Sequence, residues 1–141
     1  MINSKEFAKL IRSYGSFSNK KLQKLCYYVY SIYLSRYGEK IADVYFEAWV
    51  HGPVSPEIYQ LYKNYGWNNI PQYIGRVDVS EEIYNRVSNI IDEYIDYSAN
   101  ELEDMTHRED PWINARQGCG KYDSSNNLIC DEDIITCYQR Y

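Results

Sequence analysis

The sequence predicts a mainly α-helical protein, a compact single domain of about six to seven helices with a short two-stranded β element near residues 44–50 and 70–79. Three observations support this fold class. Apolar residues recur at helical spacing through most of the chain, capping residues precede these stretches, and only one clear segment alternates with period two. With 141 residues the chain fits one domain, which can bury a core without disulfide bonds.

The first two helices are predicted over residues 4–14 and 19–38. Each contains apolar residues at the three- and four-residue spacing of an amphipathic helix. The second helix begins after Ser18 or Asn19, which are good N-cap residues, and Gly38 closes it. Its apolar stripe is the longest in the chain, so this helix is expected to be central in the core.

A short extended segment and a sharp turn follow. Residues 44–50 alternate in the period-two pattern of a strand. Pro53 has no backbone N–H and biases Gly52 towards an extended conformation, so the strand is expected to stop here. Ser55 and Pro56 then begin a helix as its N-cap and first residue. Gly52, Pro53 and Pro56 therefore form an elbow that turns an extended segment into a helix at a fixed angle.

The C-terminal half is predicted to contain further helices that begin at the same kinds of capping residue and proline. Helix starts are expected at Ser80, Ser98, Asp110 and Asp131. Ser98 and Glu101 have the spacing of a capping box. Pro111 makes a second elbow, because one helix ends before it and another begins at it. Residues 118–127 are predicted to be a polar loop.

The two elbows carry the candidate binding residues. The simplest interpretation is that they are rigid turns whose tryptophans fill the core. The alternative is a rigid aromatic surface for a protein partner, because tryptophan and tyrosine are typical interface anchors. The residues proposed for that surface are Trp49, His51, Tyr59, Tyr62, His107 and Trp112.

No catalytic residue, metal site or cofactor is predicted. The two histidines, His51 and His107, are far apart in sequence and lack any close metal-ligand spacing. A small hydrolase that uses both imidazoles with a carboxylate remains an alternative, and it requires them to lie close together in space. Otherwise these side chains are expected to bind backbone groups or a partner.

Charge and composition limit the classes of partner that we expect and the location of the protein. The net charge is −5, which argues against nucleic acid as a partner, since phosphate binding needs clustered lysine and arginine. One basic cluster occurs at Lys20, Lys21 and Lys24, on a predicted helix start. No apolar run approaches the length of a membrane span and no secretory leader is present, so a cytoplasmic protein with reduced thiols is expected.

Three segments resemble the Panacea antitoxin domain, the family that includes SocA-like proteolytic adaptor antitoxins. They are SNKKLQKLCYY at residues 18–28, FEAWVHGPVSPEIY at residues 46–59 and LEDMTHREDPW at residues 102–112. The helix from Asp131 matches only generically. The resemblance covers nearly the whole chain, so residues 1–141 are expected to form one Panacea-like domain.

The resemblance implies a function that composition and periodicity do not. Such proteins act as antitoxins in bacterial and phage toxin–antitoxin pairs, and they neutralise a cognate protein toxin by direct contact. SocA-like members also present the toxin to a AAA+ protease. A phage-encoded inhibitor of a host protein has the same binding physics and is the other alternative.

Overall fold

The computed structural model describes residues 1–139 and confirms the mainly α-helical prediction. It contains four short strands and seven α-helices within that range. The strands are β1 (Ile2–Asn3), β2 (Ala42–Asp43), β3 (Glu47–Trp49) and β4 (Gly52–Val54). The helices are α1 (Ser4–Arg12), α2 (Asn19–Tyr37), α3 (Pro56–Tyr62) followed by a 3₁₀ turn (Lys63–Tyr65), α4 (Glu81–Ile91), α5 (Ala99–His107), α6 (Asp110–Ala115) and α7 (Asp131–Tyr138).

Helix α2 is the centre of the core, as predicted. Every residue from 22 to 34 is buried, so the helix is enclosed on all sides rather than on one face. Helices α1, α3, α4, α5 and α7 pack around it. Ser18 Oγ accepts a hydrogen bond from Lys21 N at its start, and Gly38 ends it with φ of 69°.

The helix starts also agree with the sequence patterns. The side chain of Ser98 accepts from Glu101 N while the Glu101 side chain accepts from Ser98 N, which completes the capping box. Pro56 is the first residue of α3, and Pro111 is the second residue of α6. Side-chain oxygens cap five helices, from Asn3, Ser18, Ser55, Ser80 and Ser98.

The prediction that residues 44–50 pair with residues 70–79 was wrong. Strand β3 pairs antiparallel with β4, in the register Glu47↔Val54 and Trp49↔Gly52, while residues 70–79 contribute only a bridge from Ile70 to Phe17. The chain reverses at once because Gly52 adopts φ of 108°, a backbone conformation that other residues rarely adopt. Gly52 and Pro53 therefore continue a hairpin instead of ending a strand. A second pair, β1 with β2, is parallel and was not predicted.

The hairpin should not tolerate a side chain at Gly52. A Cβ atom there would lie 2.5 Å from Lys24 Cε and 3.0 Å from Thr106 Oγ1, in addition to the cost of the positive φ. We expect Gly52→Ala to lower the free energy of unfolding by about 3 kcal/mol in urea denaturation. Gly38→Ala is the matched control, since Gly38 also has positive φ but faces open space, and it should cost about 1 kcal/mol. Equal losses would mean that contact with Lys24 is unimportant.

Candidate functional site

Two buried polar side chains of α2 hold the first elbow in place. Gln23 Oε1 accepts a hydrogen bond from Ser55 N at 2.8 Å, and Gln23 Nε2 donates to Ser55 O at 3.4 Å. Lys24 Nζ donates to Pro53 O at 3.2 Å. We call this pair of side chains the Gln23–Lys24 clamp. It supplies the acceptor for the buried donor Ser55 N, which would be costly to leave unpaired in a protein interior, whereas Ser55 O also accepts from Tyr59 N of α3.

Burial changes the charge state of the clamp. Lys24 is fully enclosed, and this burial lowers the pKa of its ammonium to about 7. The nearby positive charge of Lys20 acts in the same direction, whereas the carboxylate of Glu103 acts against it. The basic cluster expected at the start of α2 is therefore not one solvated patch, because one of its three lysines lies in the core.

The two elbows lie side by side and share their aromatic residues. Trp112 Nε1 donates a hydrogen bond to Trp49 O at 2.8 Å, which ties α6 to the hairpin. The His107 ring stacks on Trp112 with centroids 3.9 Å apart. Tyr59 of α3 packs edge-on against Trp49 with centroids 5.1 Å apart. These four side chains are half-buried, so the elbows form one continuous aromatic surface.

Both histidines lie near one carboxylate, that of Glu103 on α5. His51 Nδ1 and Lys20 Nζ are each 3.0 Å from Glu103 Oε1, although the His51 side chain is 75% exposed. Burial acts to raise the pKa of Glu103, but the hydrogen bond and charge of Lys20, together with both imidazoles, bring it below its usual value. Burial lowers the pKa of His107, whereas the carboxylate of Glu103 and a hydrogen bond that the ring donates to the backbone of Val50 act in the opposite direction. Its Nε2 atom is enclosed and has no hydrogen-bond partner among residues 1–139.

The structure thus brings together most of the residues proposed for binding. We call this surface the elbow face and define it by Trp49, His51, Tyr59, His107 and Trp112. Tyr62 lies apart from it. Its side chain is buried, and its hydroxyl accepts a hydrogen bond from Arg12 Nη1 at 3.2 Å. Tyr62 therefore fastens α3 to α1.

A groove of about 480 Å³ runs beside the hairpin. Its other wall belongs to residues 118–127, which we call the strap. The lining residues are Glu47, Trp49, Val50, His51, Ser124, Ser125 and Asn126. The groove therefore joins the elbow face, with which it shares Trp49 and His51.

A buried arginine fixes the strap to the hairpin. Arg116 Nη1 donates to Ala48 O at 2.9 Å, while Arg116 Nη2 donates to Gly120 O at 3.1 Å and to Asp123 O at 2.7 Å. On the same strand, Ala48 N donates to Asn127 O at 2.9 Å. Because one guanidinium binds carbonyl groups on both the hairpin and the strap, the position of one wall relative to the other is fixed.

Sequence reasoning missed the residues that position this surface. A polar pair between Leu22 and Leu25, inside an apolar stripe, was the available signal for the clamp. Nothing in the local sequence distinguishes Arg116 from a solvated arginine. Trp67 was also missed: its side chain is 94% exposed, in the segment after the 3₁₀ turn and outside the elbow face.

Residues 1–139 hold neither a metal site nor a membrane-spanning helix. No three side chains of His, Cys, Asp or Glu in that range come together as a metal site requires. None of the helices formed there has the length and apolar character needed to cross a bilayer.

Comparison with known proteins places this chain in a family. The family model described as Antitoxin SocA-like, Panacea domain, matches residues 22–113, which is more than half of the chain. The chain is also similar to Antitoxin SocA of Caulobacter vibrioides (strain NA1000 / CB15N), with 28% identity over 134 residues, covering 83% of this chain and 69% of the relative. No solved structure matches. The matched range contains the clamp, the hairpin and both elbows.

The burial of Lys24 should make stability depend on pH. The native ammonium releases its proton near pH 7, whereas the unfolded one keeps it to about 10.5, so the unfolded state binds more protons between these values. The free energy of unfolding should therefore rise between about pH 7 and about pH 8.5, by on the order of 1 kcal/mol. Lys24→Met should remove this rise in urea denaturation at both pH values. Lys5→Met, at an exposed position, is the control and should keep the rise. If the free energy of unfolding of Lys24→Met still rose with pH as in the wild type, Lys24 would not be the group responsible.

Proposed function

We propose that this protein is the antitoxin of a bacterial or phage toxin–antitoxin pair. The basis of the proposal is that the chain belongs to the family of SocA-like antitoxins with a Panacea domain. In this role it neutralises a cognate protein toxin by direct binding. Family membership is the observation that carries the proposal. The similarity covers both elbows, so the elbow face is the part of the molecule that we assign to the toxin.

The geometry of the elbow face supports this assignment. Its aromatic side chains are half-buried and fixed by contacts with one another, as in the hydrogen bond from Trp112 to Trp49. Rigid aromatic side chains lose little conformational entropy on association, and residues of this kind dominate the energy of many interfaces. His51 adds an exposed polar group at the edge of the same surface.

Co-expression tests the function directly. The product of the adjacent gene is expressed alone and together with this protein, and growth is measured. The proposal expects growth inhibition by the neighbour and rescue by this protein through a complex that co-purifies. A neighbour without toxicity would contradict it and favour the inhibitor of a host protein. Rescue without a stable complex, abolished by His107→Gln, would favour the hydrolase that uses both histidines.

Delivery of the toxin to a AAA+ protease is the second part of the proposal. It rests on the family and on no contact described above. A protease partner predicts that the toxin is shorter-lived in cells that contain this protein than in cells that lack it. A toxin half-life that is the same in both would restrict the function to inhibition by binding.

His51 offers the cleanest single test of the elbow face. Its contact with Glu103 is exposed, so His51→Ala should change the free energy of unfolding by less than about 1 kcal/mol. We expect the same change to weaken toxin binding about tenfold, as loss of one interface contact does. Trp67→Ala is the control, because it removes an exposed aromatic side chain elsewhere. Binding that depends on Trp67 and not on His51 would place the toxin on another surface.

A further inference from the structure

We propose that the groove between the hairpin and the strap receives an extended segment of the toxin, and that this segment places a lysine or arginine opposite Glu47. The inference rests on the antitoxin function proposed above and adds the chemistry of the partner. The groove is open to solvent and has a volume of about 480 Å³. Side chains of a peptide segment fit a space of this size.

The walls of the groove are built before any partner arrives. Arg116 joins the carbonyl groups of Ala48, Gly120 and Asp123, and Ala48 N is bonded to Asn127 O. Strand β3 therefore has β4 on one edge and residue 127 on the other. Since both edges are occupied at the centre of β3, a partner does not enter by adding a strand there. Side chains, not the main chain of β3, must make the contact.

The lining residues show what kind of segment fits. Trp49 and Val50 offer apolar surface on the hairpin wall, while Ser124 and Asn126 offer exposed hydrogen-bonding groups on the strap. An extended segment matches this pairing, because its alternate side chains point in opposite directions and its main-chain groups remain free to hydrogen-bond. A helix would turn its main-chain groups inward and leave the polar wall unused.

The charge of the groove favours a basic segment. Among the described residues, Glu47 is the one carboxylate that lines the groove, and no lysine or arginine of residues 1–139 lines it. Trp49 Nε1 donates to Glu47 Oε1 at 2.9 Å, which fixes the carboxylate in place. The imidazole of His51 is already paired with Glu103, and Lys121 of the strap lies against the Tyr122 ring. The guanidinium of Arg116, which binds the carbonyl of the neighbouring Ala48, is already used on three carbonyl groups. A cation on the partner would therefore meet a fixed negative charge in the groove.

Glu47→Gln tests the charge while keeping the geometry. The amide oxygen of glutamine can still accept the hydrogen bond from Trp49, so only the negative charge is lost. The probe is the growth-inhibiting product of the adjacent gene, and its affinity is measured by calorimetry at low and high salt. We expect about a tenfold loss of affinity at low salt and a weaker salt dependence. Glu39→Gln removes one charge at an exposed position and should change neither.

Ser124→Trp is an independent test of whether the groove is occupied, because the new side chain fills the groove from an exposed position on the strap. It should abolish binding while the free energy of unfolding stays that of the wild type. If the wild type binds and rescues growth but both Glu47→Gln and Ser124→Trp bind equally well, the groove proposal is overturned and the antitoxin function stands. If the wild type neither binds nor rescues, both proposals fall.

Discussion

The position of the elbow face depends on one buried contact, the Gln23–Lys24 clamp between α2 and the first elbow. Gln23 and Lys24 sit in the centre of the core on α2, yet their polar atoms are used on the main chain of Pro53 and Ser55. Burying a lysine is costly, and here it is compensated by a single carbonyl bond and the field of Glu103. The clamp offsets this cost by fixing the junction between β4 and α3 at Pro53 and Ser55.

The rest of the site follows from where the clamp places the hairpin. Once Gly52 lies against Lys24, the hairpin projects Trp49 and His51 towards α5 and α6. The hydrogen bond from Trp112 then joins the second elbow to the first. Arg116 completes the arrangement by tying the strap to the same strand. The elbow face is therefore continuous with the core.

The parts of the fold that local chemistry controls could be predicted from the sequence. The caps at Ser18 and Ser98 and the proline starts of α3 and α6 each need only neighbouring residues. Strand pairing could not be predicted, because it depends on the positive φ of Gly52 and not on composition. The burial of Lys24, and of Tyr62, depends on elements distant in sequence. The elbow face was therefore found through its aromatic residues, while the polar groups that position it were not.

Hydrogen exchange at the Ser55 amide tests the central role of the clamp most directly. This amide belongs to a turn, and its hydrogen-bond acceptor is the side chain of Gln23. If the clamp holds the elbow as part of the core, the Ser55 amide should exchange as slowly as Val29 in the middle of α2, through global unfolding. Exchange as fast as that of Tyr122 in the exposed strap would show that the elbow opens independently, and would contradict the account.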